Sequence, residues 1–579
     1  MKHKKQNDIV DRRAFLNTLG ISVGIAAAVP TISILSETGV YADDIGPQSG
    51  RARAESSERI RQDVAEREST VRIPNHEDNG DEALYPSKIG NYSKALKHHP
   101  TTGEVDPAAY EALNSAIAKG RFADFEALVT NGHLGSADPT KQRRLVNPGS
   151  GYAFDLEGTD SHQLKLIPAP KFASAQEAGE MAELYWMALL RDTNFADYDT
   201  SVLACEAAED LSKLHDFRGP KEGGVVTTKT LFRDSYPGCT DGPYLSQLLL
   251  QPCNFGAMRI DTRIVTVAPD VDYMTDFQSW LNVQNGVNTP PAPTVGLAFL
   301  RSGRDLTHYV NIDQLFEAYL VACVNLLANG YLANLGNPYG RIYDGGAGRP
   351  KNLSLDPNGS LAQVGFGTFG GPAVITLACE PATRALKDVW YQKWLVHRRL
   401  RPEEFGGRVE VNRLGTRSYP INRDLLNLSN VLPKIFSKYG THLLPMAYEE
   451  GSPNHTSYGS GHATVAGACV TMLKALFDDT QIIQSPVVPN PADGGQTLIP
   501  YVAPAGEAPL TVGSELNKVV SNVSQGRNMA GVHWRSDANE SNLLGEIAAI
   551  SMLEDMKRTF SEPFSGFSFT KFDGTPITV

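Results

Sequence analysis

The chain has 579 residues, of which 41% are hydrophobic, 20% charged and 8% aromatic. A chain of this length can bury one large core or several, and its composition is ordinary for a globular protein. The 53 Lys and Arg against 65 Asp and Glu give a net charge of −12. No basic tract offsets that charge, which argues against a nucleic-acid partner.

The first 42 residues have the pattern of an export signal. The segment Arg12–Leu16 contains paired arginines followed by Phe and Leu, an apolar run occupies 21–29, and Val40 and Ala42 precede the predicted cleavage point. This order is typical of a twin-arginine signal peptide at 1–42 and predicts a periplasmic or extracellular protein. The apolar run is too short to span a bilayer, so no stable membrane insertion is expected. A membrane anchor or a chance basic leader is the less favoured alternative.

The rest of the chain predicts one arm and one helical domain. Residues 43–90 are polar and charge-rich, which predicts an extended or partly helical N-terminal arm outside the core. Across 91–579, apolar residues recur at helical spacing, most strongly at 105–135, 173–215, 312–328, 380–400, 461–478 and 540–559. Segments rich in Gly, Pro and Asn predict long loops at 285–295, 337–360 and 484–512. The expected fold class is therefore mainly α, with helical bundles, long loops and few short strands.

Six cysteines are too few at this length for a disulfide scaffold. Cys323, Cys379 and Cys469 lie in apolar helical runs and are expected to be buried thiols. Cys239 and Cys253 flank a loop-like segment, and export would permit a disulfide between them. The sequence neither requires nor excludes that bridge.

A first cluster of polar residues stands at the end of the helix predicted at 380–400. Lys393 and Arg401 are eight residues apart, and Pro402 follows directly and would end the helix. A Lys ammonium is a point charge and an Arg guanidinium is a planar fork, so the pair suits the oxygens of an oxyanion.

Other residues of the same helix have different expected positions. Trp390, Lys393 and His397 recur along one helical face. Arg398 and Arg399 are interpreted as part of a solvated helix face, which is the usual place for such charges.

A second cluster precedes the helix predicted at 461–478. Ser460 and Gly461 stand where that helix begins, so free backbone N–H groups and the positive end of the helix dipole would face an anion. Gly461 permits close approach of the backbone, and Ser460 adds a hydroxyl, although an ordinary N-cap would also explain Ser460. His455 and His462 stand beside this point, seven residues apart, and capping does not explain them.

A third cluster supplies Arg527 and, six residues later, His533. Asp537, four residues beyond His533, is placed to accept a hydrogen bond from the histidine ring. Such a bond fixes the tautomer and raises the basicity of the other ring nitrogen. Asp537 also stands near the start of the last long helix, so a capping role is the alternative.

In this order, the three clusters resemble the signature shared by the vanadium haloperoxidases and the type 2 phosphatidic acid phosphatase superfamily. The eight-residue interval, the 64 residues between His462 and Arg527, and Gly526 in place of the usual Ser are more similar to the haloperoxidases. Further segments look like red-algal and cyanobacterial bromoperoxidases, at 304–313, 369–372 and 382–387. The resemblance extends from about residue 80 to the C-terminus.

The resemblance implies a vanadate cofactor bound within 390–537. His533 would ligate vanadium, and the cations and N–H groups would neutralise the vanadate oxygens. The implied cofactor-binding residues are Lys393, Arg401, Ser460, Gly461, Arg527 and His533.

The resemblance also implies catalytic roles. His462 would be the acid–base residue that takes a proton from hydrogen peroxide, and Lys393 would polarise the peroxide. The family has a carboxylate behind this histidine, for which Asp305 is the first candidate and Asp313 the second.

Two positions bear on the choice of halide. Trp390 and His455 match the pair found in brown-algal bromoperoxidases, which predicts bromide and iodide oxidation with little chloride activity. Core packing is the alternative role of Trp390.

The expected function is therefore that of a vanadium-dependent bromoperoxidase, which uses hydrogen peroxide to form hypohalous acid that halogenates small organic acceptors. The alternative enzyme is a secreted acid phosphatase in which His533 forms a phosphohistidine. An oxyanion-binding or shell-forming structural protein is the non-catalytic alternative. The natural organic substrate and the stereoselectivity stay open.

The resemblance further implies a homo-oligomer, either a dimer or an assembly of dimers. The segment 356–360 (Asp-Pro-Asn-Gly-Ser) is either an ordinary turn or a structural calcium loop, with the turn slightly favoured.

Overall fold

Helices dominate the computed structural model, which describes residues 49–138, 140–343, 359–360 and 362–579. All these residues belong to one compact unit, Tyr41–Val579. Within the described ranges the α-helices are α1 Gly50–Thr70, α2 Asp81–Leu84, α3 Pro107–Lys119, α4 Phe122–Thr130, α5 Ala175–Leu190, α6 Val202–Ser212, α7 Gln247–Leu250, α8 Phe277–Gln284, α9 Gly303–Ile312, α10 Glu317–Ala328, α11 Gly371–Cys379, α12 Pro381–Tyr391, α13 Pro402–Arg413, α14 Val431–Tyr439, α15 Gly461–Leu476, α16 Val512–Met529 and α17 Arg535–Lys557.

Strands are short and pair only in twos. The four antiparallel ribbons of the described residues are β1 Cys253–Phe255 with β2 Met258–Ile260, β3 Ile264–Val267 with β4 Thr294–Ala298, β5 Val487–Pro489 with β6 Leu498–Pro500, and β7 Ser568–Thr570 with β8 Pro576–Thr578. The mainly α fold class with few short strands is confirmed. One ribbon, β5–β6, lies inside the segment 484–512 that was predicted as loop.

The main core lies where α15, α16 and α17 meet, and α15 is buried along almost its whole length. Two glycines allow α15 and α17 to approach closely. A Cβ on Gly467 would lie 2.1 Å from the carbonyl oxygen of Asn542, and a Cβ on Gly545 would lie 2.0 Å from that of Thr464. The crossing brings the starts of both helices together, since the Ser460 N–H donates to Ser541 Oγ at 2.8 Å.

The predicted arm at 43–90 contains two different parts. Residues 50–70 form the polar helix α1, whose Arg67 contacts Glu554 and Asp555 at the end of α17. By contrast, Asp81 is 1% exposed and accepts the Phe172 N–H at 2.7 Å, and Ile89 belongs to the main core. The core therefore extends into a segment that the sequence analysis placed outside it.

Several sequence predictions have simple outcomes. All six cysteines are free, and Cys239 and Cys253 are buried thiols with no disulfide between them. The predicted signal peptide at 1–42 and residues 356–358 of the possible calcium loop lie outside the described residues. Among the described helices, none is long and apolar enough to cross a bilayer alone; α9 and α10 pass that test only as a pair, and this pair is bent by 102°.

Candidate oxyanion site

The start of α15 provides the hydrogen-bond donors of the site. Ser460 is the N-cap, and its Oγ accepts the Ala463 N–H at 3.3 Å. The predicted N-cap role is therefore present, yet a hydroxyl that accepts one bond keeps its own proton to donate. Gly461 begins the helix, and a Cβ there would lie 3.0 Å from the Trp390 ring. Glycine thus lets the indole pack against a helix terminus whose N–H groups attract anions.

Lys393 lies in a π-helical segment, Gln392–His397, that continues α12. Its ammonium group is fully buried and donates to the carbonyl oxygens of Thr456 and Ser457 at 2.8 and 2.9 Å. Arg398 ends the segment with a φ of 41°, in the left-handed region. Segments of π-helix are rare and occur often at functional sites. Through the two bonds of Lys393, this segment is attached to the loop that precedes α15.

Arg401 precedes α13 and is also fully buried. Its Nε donates to the carbonyl oxygen of His455 at 2.9 Å, and its Nη1 donates to that of Val532 at 2.7 Å. The same Nη1 lies 3.0 Å from Nε2 of His533, and Nη2 lies 2.9 Å from Nδ1 of His455. One guanidinium group therefore fixes both histidines.

His533 is held in a single tautomer. Its Nδ1 lies 2.8 Å from Oδ2 of Asp537, and its Nε2 faces the Arg401 donor. A carboxylate accepts and a guanidinium only donates, so the proton is on Nδ1 and the lone pair is on Nε2. The predicted bond between Asp537 and His533 is present. Asp537 also accepts the Trp534 N–H at 3.2 Å, so it caps α17 as well.

Arg527, in the last turn of α16, supplies the third cation. Its Nη1 donates to the carbonyl oxygen of Val310 at 2.7 Å and lies 3.3 Å from the Tyr448 hydroxyl. Its Nε is buried and has no hydrogen-bond partner. Because buried polar groups are normally paired, an unpaired guanidinium nitrogen at this position is consistent with a site for an anion.

The carboxylate behind His462 is Asp313, the second candidate. Its Oδ1 lies 3.2 Å from Nε2 of His462. The expectation for Asp305 is wrong, because both its carboxylate oxygens bind the guanidinium of Arg301 at 2.8 and 3.1 Å. Asp305 stands in the first turn of α9, whereas Asp313 stands just beyond its end. The two carboxylates therefore lie at opposite ends of one helix, and the one at the C-terminal end contacts His462.

Trp390 and His455 are in contact, with ring centroids 4.8 Å apart. The indole N–H donates to the carbonyl oxygen of Val146 at 3.1 Å, and the Lys393 ammonium lies 5.5 Å from the indole centroid. His397, expected on the same helical face, packs edge-on against Tyr458 instead.

Arg399 belongs to this site, and its interpretation as a solvated residue is wrong. Its side chain is 1% exposed, and its Nη1 donates to Oδ1 of Asp537 at 2.8 Å. Its Nη2 binds Glu177 and lies 3.4 Å from Glu180, both on α5. The one sequence signal for a buried cation here is that Glu177, Glu180 and Glu183 recur every third residue along the otherwise largely apolar α5.

Burial and crowding of positive charge determine the protonation of the site. Burial lowers the pKa of His533 well below its usual range, and the charges of Arg401 and Lys393 lower it further. Burial, then the positive charge of Arg401, likewise lowers the pKa of Lys393. The pKa of His462 is lowered by burial and partly restored by Asp313. Within the described part of the chain, none of the three cations forms an ion pair with a carboxylate, so the site favours an anionic ligand.

This donor set fits a tetrahedral oxyanion. Three cations, a hydroxyl and a helix terminus surround a neutral histidine whose lone pair is directed among them. The residues that would hold the oxyanion are Lys393, Arg401, Ser460, Gly461, Arg527 and His533. A mainly helical fold with this donor set is the arrangement expected of an oxyanion-binding enzyme.

Comparison with known proteins identifies the family. The model of the VCPO second helical-bundle domain matches residues 439–562. The vanadium-dependent bromoperoxidase of Corallina pilulifera is 35% identical over 86% of this chain and 94% of its own length. That of Ascophyllum nodosum is 33% identical over 84% and 86%. The homohexameric structure of the second vanadate-dependent bromoperoxidase from Ascophyllum nodosum has a TM-score of 0.80 at 28% identity, over 97% of this chain and 95% of that one. The chain belongs to the vanadium-dependent bromoperoxidase family.

Proposed function

We propose that this chain is a vanadate-dependent bromoperoxidase that oxidises bromide and iodide with hydrogen peroxide to hypohalous acid. The observation that carries the proposal is the neutral ring of His533, with its proton held on Nδ1 by Asp537 and its lone pair among three buried cations. Membership of the family supports the same activity. When bound, vanadate supplies a Lewis-acid centre that activates hydrogen peroxide toward a halide ion.

Each residue of the site would have its own role in the reaction. Nε2 of His533 would bond to vanadium, and Lys393, Arg401 and Arg527 would compensate the charge on its oxygens. His462 would take a proton from hydrogen peroxide at Nδ1, because Nε2 is bonded to Asp313. Lys393, whose ammonium group bonds to two carbonyl oxygens and to no carboxylate of the described residues, would donate a hydrogen bond to the peroxide.

Halide choice is proposed to depend on Trp390 and His455. Their contact places an indole and a neutral imidazole beside Lys393 and Arg401. An apolar, weakly hydrated wall favours the larger, more easily oxidised bromide and iodide over chloride. Oxidation rates with the three halides test this: chloride turnover equal to that with bromide would contradict it.

The activity is tested by bromination of a phenol-type dye with bromide and hydrogen peroxide. The purified protein is assayed first without added metal, then with orthovanadate, and then with phosphate as competitor. Bromination that requires vanadate and is suppressed by phosphate supports the proposal. Absence of bromination with release of phosphate from a simple ester would instead support the acid phosphatase, with His533 as nucleophile.

Assembly and location are proposals as well. The proposed assembly is a homo-oligomer, either a dimer or an assembly of dimers. The homohexameric relative supports a homo-oligomer in general, and light scattering of the purified protein tests the subunit number. Export through the twin-arginine pathway is supported by the Arg12–Leu16 pattern. Periplasmic protein that disappears after Arg12→Lys and Arg13→Lys substitution would support export.

Calcium at 356–360 is tested by the effect of a chelator on thermal stability.

A further inference from the structure

A second serine of the loop before α15 contacts several parts of the oxyanion site, although its hydroxyl has no part in the roles proposed so far. Ser457 is fully buried and precedes the N-cap Ser460 in this loop. Its hydroxyl donates to Oδ2 of Asp537. Its carbonyl oxygen accepts from Lys393 at 2.9 Å, and its N–H donates to the carbonyl oxygen of Arg399 at 3.1 Å. Each polar group of Ser457 therefore binds a residue of the site.

The hydroxyl of Ser457 binds the carboxylate oxygen that orients His533. Oδ2 of Asp537 also accepts Nδ1–H of His533 at 2.8 Å and the N–H of Trp534 at 3.2 Å. Because a carboxylate only accepts, the serine is the donor, and a hydroxyl that donates to a carboxylate forms a strong bond. The serine hydroxyl and the histidine ring thus share one oxygen atom.

The other oxygen of the Asp537 carboxylate is held by Arg399, whose Nη1 donates to Oδ1 at 2.8 Å. The same guanidinium group also faces two glutamates of α5, so its attraction alone does not determine how the Asp537 carboxylate is turned. Rotation about the last bond of an aspartate side chain is soft. A donor on each oxygen, Arg399 on Oδ1 and Ser457 on Oδ2, fixes that rotation and with it the plane of the carboxylate that His533 contacts.

The backbone of Ser457 also fixes a cation. The ammonium group of Lys393 donates to the carbonyl oxygens of Thr456 and Ser457. Because the hydroxyl and the carbonyl group belong to one residue, Ser457 sets the distance between Lys393 and the carboxylate that holds the histidine. An oxyanion bonded to His533 needs its oxygens within reach of Lys393, and small errors in such a distance weaken binding.

We propose that Ser457 is a positioning residue for vanadate binding, which acts through Asp537 on the orientation of His533. The inference rests on the proposed function, because vanadate is the ligand that His533 would bind. The hydroxyl of Ser457 has one proton, which Asp537 accepts, and its N–H is bound to a carbonyl oxygen. Ser457 therefore has no donor left for the oxyanion. It would change how tightly vanadate is held and would leave the number of sites unchanged.

Ser457→Ala removes the hydroxyl and adds no bulk. We expect the dissociation constant of orthovanadate to rise roughly 3- to 10-fold, less than the roughly 10- to 100-fold usual for a direct partner of a metal-binding histidine. Binding at saturation should stay at one vanadium per chain. Equilibrium dialysis of the metal-free full chain with orthovanadate, followed by metal analysis, measures both quantities without turnover.

Ser452→Ala is the matched control. Ser452 is also fully buried, lies in the same loop, and has a hydroxyl that makes no hydrogen bond to a described residue. Its substitution should leave the vanadate affinity at the wild-type value. Wild-type affinity in Ser457→Ala, or an equal loss in both variants, would overturn the proposal. Fewer sites per chain at an unchanged dissociation constant would show a general role in folding and would overturn it as well.

A double substitution tests the route through Asp537. In an Asp537→Asn chain the carboxylate that Ser457 holds is gone, so adding Ser457→Ala should change the dissociation constant by less than about twofold, since residues that act through one group are not additive. The same loss in both backgrounds would contradict the route through Asp537. Absence of vanadate binding to the wild-type chain would reject the proposed function together with this inference, whereas wild-type binding that Ser457→Ala does not weaken would reject only the inference.

Discussion

At the scale of single residues, the state of His533 is determined by one carboxylate. Asp537 is fully buried, and its Oδ2 accepts the His533 Nδ1 proton while its Oδ1 accepts from Arg399. A ligating histidine held in this way presents a more basic nitrogen in a fixed orientation. We therefore propose that Asp537 sets the affinity of His533 for vanadate.

Asp537→Asn should lower vanadate affinity roughly 10- to 100-fold, the range usual for loss of such a partner. Equilibrium dialysis of orthovanadate with metal analysis measures this. Asp424→Asn is the control, because Asp424 holds His215 in the same way, at 2.8 Å, away from the oxyanion site. Wild-type affinity in Asp537→Asn would show that Asp537 is only a helix cap.

Arg399 has a large expected effect on stability. Arg399→Met leaves Glu177, Glu180 and Asp537 buried without their cation, and should reduce the free energy of unfolding by about 3–5 kcal/mol. Arg218→Met is the control, since Arg218 and Asp216 form an exposed ion pair at 2.9 Å whose loss should cost only about 0–1 kcal/mol. Urea denaturation measures the free energy of unfolding of both variants. Equal losses in the two would contradict the assignment of Arg399 as the cation that pairs with the buried carboxylates.

The residues of the site differ in how readily the sequence reveals them. Lys393, Arg401 and His533 could be predicted because their order and spacing are specific. Arg399 could not, because its sequence context is the same whether its guanidinium faces solvent or the carboxylates of α5. Asp305 was wrongly ranked above Asp313, because the two stand at opposite ends of α9 and only the folded helix shows which end faces His462.

At the scale of elements, the close crossing of α15 and α17 positions the site. Gly545→Ala should destabilise the protein by about 1–3 kcal/mol, because its Cβ would lie 2.0 Å from the Thr464 carbonyl oxygen. Alanine normally stabilises a helix relative to glycine, so a loss of stability in Gly545→Ala would identify the close contact with α15 as its cause. Gly367→Ala, with nothing within 4 Å of the added Cβ, is the control. Thermal unfolding of Gly545→Ala at or above the wild-type temperature would contradict this packing.

Asp272 connects three helices, because it pairs with Arg191 after α5 and Arg304 in α9 and accepts from Tyr439 in α14 at 2.6 Å. Burial raises its pKa, but the two guanidinium groups outweigh burial and hold the pKa of Asp272 below its ordinary value. Its contribution is therefore complete above about pH 4, the unfolded pKa, and is lost as pH falls toward the folded pKa.

Asp272→Asn should cost about 3–5 kcal/mol at pH 7, since it leaves buried guanidinium groups without their partner. The stability difference from wild type should shrink below about pH 4. Denaturation at several pH values measures this stability difference. Asp270→Asn is the control, because the Asp270 side chain is exposed. A difference that is constant down to pH 2 would contradict the assigned charge.

The elements were predicted unequally well for a physical reason. Long helices such as α5 and α15 have many apolar residues at helical spacing, which a sequence shows directly. The π-helical turn at 392–397 and the ribbon β5–β6 depend on a few tertiary contacts, and neither has a periodic pattern of its own.

At the scale of the whole molecule, an acidic protein of net charge −12 encloses a cationic site. Its three cations come from the ends of different helices, so the fold must be complete before the site exists. The surrounding helices keep Lys393 and Arg401 out of water, which strengthens their attraction for an anion. The central claim is that one vanadate binds per chain at His533 and confers the activity.

The most direct test is a titration of metal-free protein with orthovanadate, in which bound vanadium and bromination rate are measured together. The rate should rise in proportion to bound vanadium and reach a plateau at one vanadium per chain, and His533→Ala should have neither tight binding nor activity. Bromination without vanadium, or unchanged binding in His533→Ala, would contradict the account.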